Sequence, residues 1–428
     1  MPNILSQPLK LPCGAVISNR LSKAAMTEGL ATGRGVPTAE LERLYGLWSD
    51  GGAGMLLSGN IQIDADHLER PGNVIIDRQP DEAMKSALAK WAKAGTRNGN
   101  HFWAQISHAG RQTQKIVNAH PKAPSEVKLN LPGGQFGEPV ALTAGEIEDI
   151  VQRFVVAAAA VCDAGFTGVQ IHAAHGYLIS QFLSPRSNLR KDEYGGSLVN
   201  RARLLMDIVK AVRAELGPEV PVAVKLNSAD FQKGGFAFED SVQVALWLED
   251  AGVDLIEISG GTYEQPKLLG VEGLEKEEKQ NIRQTTAKRE AYFVDFALAM
   301  QGKVSVPLMV TGGFRQQSAM IKALDGGGAD LIGLGRPMCV VTDAPARLLN
   351  GEETLPRYED SLSLLPSWLS FLLKLGTVRS IAIFAVQYWY YAQIDTLGRE
   401  GKSEPAMTVV SAARKVLALQ KQLIKDRK

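Results

Sequence analysis

Short runs of apolar, mostly β-branched residues alternate along the chain with longer segments whose apolar positions recur at helical spacing. One of these longer segments begins with a capping box, Thr143 and Glu146. Helices are predicted over residues 38–50, 80–97, 143–164, 200–216, 238–251, 288–300 and 315–326. Strands are predicted for the runs VISNRLSKAAM (at its start), GMLLSGNI, FWAQIS, TGVQIHA, PVAVKLN, VDLIEIS, VPLMVTG and ADLIGLG.

The alternation of strands and helices predicts an α/β fold of the closed (β/α)8 TIM-barrel type. Parallel strands joined by helices require right-handed crossovers, and eight such units favour closure into a barrel over an open, doubly wound sheet. Near-continuous apolar strands are expected in a barrel, because both faces of its sheet are covered. We assign the barrel to residues 1–345.

The pattern changes after this point, and residues 346–428 are predicted to form a helical C-terminal extension rich in Leu, Trp and Tyr. Its apolar face is expected to pack on the barrel or on a second subunit of a homo-oligomer. A helix lying on a membrane surface is the alternative, because Lys374 and Arg379 flank bulky apolar residues. The apolar stretch 380–394 is shorter than the ~20 residues that cross a bilayer, so no integral membrane span is expected.

Composition narrows the functional classes. The 428 residues carry a net charge of +1, so no basic surface suggests nucleic-acid binding. The three cysteines are scattered, which argues against a disulfide framework and against a cysteine-held metal or iron–sulfur cluster. The first residues do not have the pattern of a signal peptide, and we expect a cytoplasmic protein.

The carboxyl ends of barrel strands surround the active site, so the residues that follow each strand are the candidates for chemistry. His172, His175 and Tyr177 follow the fourth strand. The two histidines could bind a metal, but no further ligand is near them in sequence; they could also be structural. The third interpretation is that they donate hydrogen bonds to a substrate oxygen while Tyr177 donates a proton.

Two glycine-containing loops follow the seventh and eighth strands, where barrels commonly bind phosphate. Gly312 and Gly313 expose backbone N–H groups, and Gly335 precedes Arg336, whose planar guanidinium suits phosphate oxygens. Plain tight turns are the alternative. No glycine string has the context of a dinucleotide fingerprint, so a nicotinamide would enter the same pocket as the substrate.

The sequence IHAAHGYLISQFLSPRSNLRKDEYGGS, together with ISHAGR, AGVDLIEISGG and TGGF…GLGRP, resembles the Old Yellow Enzyme family of FMN-dependent ene-reductases. The resemblance covers roughly residues 9–345 and implies FMN as cofactor, with NADPH or NADH as a transient hydride donor. It implies that a small electrophilic alkene is the substrate, held by His172 and His175 and protonated by Tyr177. It implies FMN contacts at Ala25, Met26, Thr27, Gly59, Gln105, Lys225, Gly312, Gly313, Gly335 and Arg336.

This chain departs from the family pattern at several positions. Thr27 stands where one subgroup has Cys, and Gly29 where that subgroup has Tyr, so we expect different redox tuning and substrate packing. Lys225 replaces the usual Arg near the flavin. Cys339 stands alone, which argues against the branch with an iron–sulfur cluster.

Two other functions remain open from the sequence. The flavin could be reduced by an amine or alcohol, as in a dehydrogenase or demethylase. A flavin-free barrel lyase could instead use Lys225 as a Schiff-base lysine. The shape of the pocket depends on the loops 118–140 and 263–288. Within the second loop, the charged run 273–284 is expected to be a solvated face or a lid.

Overall fold

Eight parallel strands form a closed barrel in the computed structural model, which describes residues 3–129, 131, 134–264 and 293–427. Each strand pairs with the next in the chain, and the eighth pairs with the first through Ile332 and Leu21, so the predicted TIM barrel is confirmed. The strands are β1 (Leu21–Lys23), β2 (Met55–Leu57), β3 (His101–Ser107), β4 (Gly168–Ala173), β5 (Val222–Asn227), β6 (Leu255–Ser259), β7 (Leu308–Thr311) and β8 (Leu331–Leu334).

The first predicted strand was wrong at its start. Val16–Ile17 pairs in antiparallel fashion with Leu9–Lys10, outside the barrel, and only Leu21–Lys23 joins the barrel sheet. Asn19 separates the two segments, because its side-chain oxygen accepts hydrogen bonds from the backbone N–H groups of Leu21 and Gly54. The side chains of Leu9, Leu11 and Ile17 pack against the residues that fill the barrel interior.

Helices surround the barrel and bury one face against its strands. The predicted capping box of Thr143 and Glu146 is confirmed at the start of α3. The start of the helix predicted over 288–300 and the charged run 273–284 lie outside the described residues. The helices are α1 (Ala39–Asp50), α2 (Glu82–Gly95), α3 (Ala144–Asp163), α4 (Leu178–Leu183), α5 (Leu198–Leu216), α6 (Phe238–Asp250), α7 (Val294–Met300), α8 (Gln317–Asp325), α9 (Ala344–Leu349), α10 (Gly376–Glu400) and α11 (Val409–Arg427).

The C-terminal helices α10 and α11 pack against each other and, through α10, against α1 of the barrel. Trp389 of α10 is fully buried and donates a hydrogen bond of 2.7 Å from Nε1 to the carbonyl of Met407. Packing on the barrel was one of the predicted placements of the extension. The division at residue 345 falls within α9 and stays a prediction, as does a homo-oligomer through this extension. No helix in the described ranges has the length and apolar character needed to cross a membrane.

Candidate active site

A cavity lies at the carboxyl ends of the barrel strands, and twelve of the thirteen predicted site residues line it. Its wall also includes parts of the two loops that the sequence indicated, among them Phe136, Tyr263 and Glu264. The second of these loops is described only as far as residue 264. The twelve residues are Ala25, Met26, Thr27, Gln105, His172, His175, Tyr177, Lys225, Gly312, Gly313, Gly335 and Arg336.

Gly59 is the thirteenth, and the structure places it behind the cavity wall. Its backbone N–H donates a hydrogen bond of 2.8 Å to Oε1 of Glu28. A Cβ at this position would collide with the Glu28 carboxylate and with the carbonyl of Met26. The absence of a side chain therefore allows close packing here, and its predicted contact with FMN remains untested.

The turn after β4 places the two imidazoles and the phenol on one wall of the cavity. His175 has the left-handed φ of 62°, which few residues other than glycine adopt without support. Asn227 provides this support, because its Oδ1 accepts a hydrogen bond of 3.1 Å from the His175 backbone N–H, and Gln112 donates to the His175 carbonyl at 3.0 Å. The ring of His172 consequently lies 5.0 Å from that of His175 and 4.8 Å from that of Tyr177, measured between ring centroids.

Both histidines are held in the neutral form. Burial, followed by the positive charge of Lys225, lowers their pKa values well below the usual value for histidine. Nδ1 of His172 accepts a hydrogen bond from the backbone N–H of Ala174 at 3.2 Å, so the ring proton is on Nε2. This leaves His172 as a hydrogen-bond donor to the cavity.

The tautomer of His175 depends on Ser259 at the end of β6, which the sequence reasoning did not single out. The Ser259 hydroxyl lies 2.6 Å from Nε2 of His175. When this hydroxyl donates, the proton of the neutral ring is on Nδ1, and His175 is also a donor. In the sequence, only its position at the end of a strand marked Ser259 as a candidate for the site.

Tyr177 is buried, and its hydroxyl forms a hydrogen bond of 2.8 Å with the hydroxyl of Tyr263. Burial, followed by the proximity of Tyr263 and Glu69, raises the pKa of Tyr177 well above 10. The phenol therefore carries its proton throughout the neutral pH range, as a proton donor must.

A chain of buried polar groups joins strands β3 to β6, and its two ends, Gln105 and Lys225, line the cavity. Nε2 of Gln105 donates to Gln170 at 2.7 Å, and Nε2 of Gln170 donates to Glu257 at 2.8 Å. Nζ of Lys225 lies 2.9 Å from the other carboxylate oxygen of Glu257. This ion pair engages Nζ of Lys225, which favours contact with an electron-rich ring over a nucleophilic role.

The loops after β7 and β8 form one corner of the cavity, where their groups suit an anion. Gly312 and Gly313 have left-handed φ values of 123° and 84°, so a glycine is required at both positions. Arg336 and Arg315 line the cavity beside them. Arg315 directly follows the TGGF segment, but the sequence analysis did not select it as a site residue. Nη2 of Arg315 lies 2.7 Å from Oε1 of Glu359.

The extension contributes to the cavity wall, which periodicity alone could not show. Tyr390 of α10 hydrogen-bonds to Glu359 at 3.1 Å, and Glu359 also lies 3.6 Å from Nη1 of Arg336. The sequence signal was the aromatic density of FAVQYWYYAQI. The cavity residues from α10 are Ile383, Phe384, Gln387, Tyr388, Tyr390, Tyr391 and Ile394.

One further cluster of potential metal ligands lies apart from His172 and His175, at Asp64, His67 and His108. Nε2 of His67 accepts a hydrogen bond from the Lys122 backbone N–H, and Nδ1 of His108 accepts one from that of Gly110. The opposite ring nitrogens lie 3.1 and 3.8 Å from Oδ2 of Asp64. Backbone hydrogen bonds therefore occupy one ring nitrogen of each histidine, and the other ring nitrogen faces Asp64.

The donor set of the cavity fits FMN. The two left-handed glycines and the adjacent arginines suit a phosphate, while Lys225 and Gln105 present a cation and an amide to the cavity. These features define a flavin-binding barrel oxidoreductase. The chain belongs to the NADH:flavin oxidoreductase / NADH oxidase family, whose sequence pattern matches residues 5–354. This is the Old Yellow Enzyme family, and its cofactors are FMN and NAD(P)H.

Known relatives agree with this assignment. The NADH-dependent flavin oxidoreductase iliE of Neonectria sp. is 38% identical over 78% of this chain, which covers 45% of that relative. The NADH-dependent flavin oxidoreductase iccE of Talaromyces variabilis is 33% identical over 93% of this chain and 99% of its own length. The solved Old Yellow Enzyme homologue from Zymomonas mobilis superposes with a TM-score of 0.68 at 28% identity, covering 83% of this chain and 95% of that one.

Proposed function

We propose that this protein is an ene-reductase that reduces the C=C bond of α,β-unsaturated carbonyl or nitro compounds. The observation that supports this function is a cavity wall with two neutral imidazoles, His172 and His175, beside a protonated phenol, Tyr177. When bound, FMN supplies the hydride that adds to the β-carbon, and a nicotinamide reduces the flavin again. NADH is the first nicotinamide to test, since the relatives described above are named as NADH-dependent.

In this proposal the two histidines bind the oxygen of the carbonyl or nitro group. Nε2–H of His172 and Nδ1–H of His175 donate to that oxygen, on which negative charge develops during the reaction. Neutral rings suit this role, because they retain a proton to donate and do not give it up to the substrate oxygen. Lys225 favours this neutral state by disfavouring a second positive charge nearby.

Tyr177 completes the reduction by giving its hydroxyl proton to the carbon next to the carbonyl or nitro group. Its hydrogen bond to Tyr263 holds the hydroxyl in the cavity. The reverse alternative, oxidation of an alcohol or amine, needs a proton acceptor at the reacting atom, whereas His172, His175 and Tyr177 all present donors. The flavin-free lyase is not supported, because the family is FMN-dependent and Lys225 is paired with Glu257.

The test is the visible absorbance spectrum of the FMN-loaded protein without oxygen. NADH is expected to bleach the flavin bands, and 2-cyclohexenone is expected to restore them. In Tyr177→Phe the bleaching is expected to be unchanged, while recovery slows by ~10²- to 10⁴-fold, the usual contribution of a positioned acid. Tyr194→Phe is the matched control, since Tyr194 is also buried but does not line the cavity. If enones do not restore the flavin bands of the reduced protein, the proposed substrate class is wrong.

A further inference from the structure

An arginine that the proposed mechanism does not use lines the cavity and has unpaired N–H groups among the described residues. Arg70 is 2% exposed and lines the cavity near its tyrosines. Its Nε and Nη1 atoms are buried and have no hydrogen-bond partner among the described residues. A buried guanidinium is unfavourable unless an acceptor satisfies its N–H groups, so this arrangement points to a ligand with negative oxygens.

The position of the guanidinium is fixed on two sides. Its central carbon lies 3.9 Å from the ring centroid of Tyr391, which α10 brings over the cavity. On another side is Gly29, which has a φ of 68°, and a Cβ there would lie 2.9 Å from Nη2 of Arg70. A rigid guanidinium loses little conformational entropy when it binds an oxyanion.

Glu69 and Glu264 are the carboxyl groups of the described cavity lining, and neither forms a salt bridge with Arg70. Glu69 precedes Arg70 in the chain, and burial raises the pKa of its carboxyl group, although the charge of Arg70 acts in the opposite direction. The Glu69 side chain hydrogen-bonds with Thr27 and Asn73. Glu264 is in an ion pair of 3.0 Å with Arg111.

Arg70 lines the same cavity as the proposed proton donor, Tyr177. Its charge acts on Tyr263 in the direction that lowers the pKa of that phenol, and Tyr263 is hydrogen-bonded to Tyr177. An oxyanion bound to Arg70 would consequently share the cavity with the proposed proton donor.

We propose that Arg70 is a binding subsite for a carboxylate or similar oxyanion of the alkene substrate, so that the enzyme prefers acidic substrates to neutral ones. This inference rests on the proposed ene-reductase function and specifies its substrate class. Because the phosphates of a nicotinamide dinucleotide carry the same kind of oxygen, the experiment must separate the two sources.

The experiment measures binding by the perturbation of the oxidised flavin spectrum in the FMN-loaded full chain, without turnover. The probes are (E)-4-oxopent-2-enoate and its methyl ester, which share one electrophile and differ in charge. We expect the acid to bind ~10- to 100-fold more tightly than the ester, which is the range of a hydrogen bond to a charged group. Arg70→Met should remove this preference and leave ester binding within about threefold, and Arg70→Lys should retain part of it.

Arg78→Met is the matched control, since Arg78 is exposed and pairs only with the neighbouring Asp77 among the described residues. Equal binding of acid and ester by the unsubstituted protein would overturn the proposal, as would an equal loss of both in Arg70→Met with its FMN spectrum intact. An Arg70→Met protein that binds NADH less tightly but keeps the acid preference would assign Arg70 to the dinucleotide instead. Reduction of the bound probes is measured separately, so a preference for the acid without turnover would retain the subsite and reject the ene-reductase.

Discussion

The hydroxyl of Tyr177 lies 2.8 Å from the hydroxyl of Tyr263, and the two phenols come from the turn after β4 and the loop after β6. Both pKa values are raised well above 10 by burial, so neither group ionises near neutral pH. Tyr263 therefore positions the Tyr177 hydroxyl by hydrogen bonding, and two barrel segments that are distant in sequence define the proposed proton donor.

Tyr263→Phe is expected to slow enone reduction by ~2- to 10-fold, the value of one neutral hydrogen bond. This effect is smaller than that of Tyr177→Phe, because the proton donor itself remains. The measurement is the single-turnover rate of flavin reoxidation by 2-cyclohexenone in each single variant and in the double variant. If Tyr263 acts only through Tyr177, the double variant matches Tyr177→Phe alone, whereas multiplicative losses would show an independent role.

Ser259→Ala tests the proposed tautomer of His175. The substitution removes the hydroxyl that lies 2.6 Å from Nε2, so the ring proton is no longer directed to Nδ1. We expect 2-cyclohexenone to bind ~2- to 10-fold less tightly to the oxidised enzyme, with NADH reduction of the flavin little changed. Ser228→Ala is the control, because the Ser228 hydroxyl is buried at the neighbouring strand end without a hydrogen-bond partner among the described residues. Equal effects of the two substitutions would argue against the assigned tautomer.

The strand-end residues line the cavity because the barrel topology itself brings the ends of β3, β4, β5, β7 and β8 together, while their roles stay predictions. Gln105, His172 and Lys225 line the cavity for this reason. Arg70 and Glu359 were missed, because they lie in segments without regular periodicity. Tyr391 was missed because nothing in the local sequence of α10 shows which face of the barrel the helix covers.

Acid pH is expected to destabilise the protein through its buried histidines. The pKa of His108 is lowered from 6.5 to about 4, with burial as the largest cause, and those of His172 and His175 are also lowered. The unfolded chain therefore binds protons that the folded chain does not, and the free energy of unfolding falls as the pH decreases from about 6.5 towards 4.

Urea unfolding at several pH values between 7 and 4 measures this slope. His108→Gln should make the dependence shallower, although the protein becomes less stable at pH 7 through the loss of contacts with Asp64 and Gly110. His120→Gln is the control, since His120 is exposed. The same slope in all three proteins would show that His108 does not contribute to the pH dependence.

Substitutions at the ion pair of Lys225 and Glu257 test its contribution to stability and to cofactor binding separately. Glu257→Gln leaves a buried cation without its counter-ion, and we expect the free energy of unfolding to fall by ~3 to 5 kcal/mol. Replacing both residues, in Lys225→Met/Glu257→Leu, should restore most of this stability, since no charge is left unpaired. If Lys225 contacts the flavin, the double variant should bind FMN only weakly, even though its stability is restored. Urea unfolding of the apoprotein and FMN fluorescence titration measure the two quantities, and strong FMN binding by the double variant would remove Lys225 from the flavin site.

Glu359 is expected to weaken FMN binding while it stabilises the apoprotein. It pairs with Arg315 at 2.7 Å and lies 3.6 Å from Arg336, so one carboxylate faces the two cations of the proposed phosphate site. In Glu359→Gln the local charge rises by one unit, which better matches a phosphate dianion but leaves Arg315 with less compensation when FMN is absent. We expect FMN to bind about tenfold more tightly, the equivalent of ~1.4 kcal/mol, and the melting temperature of the apoprotein to fall. Riboflavin, which has no phosphate, should bind the two proteins equally, and Glu352→Gln, at an acidic residue outside the cavity, should change neither affinity. Weaker FMN binding in Glu359→Gln would show instead that Glu359 serves mainly to orient the arginines.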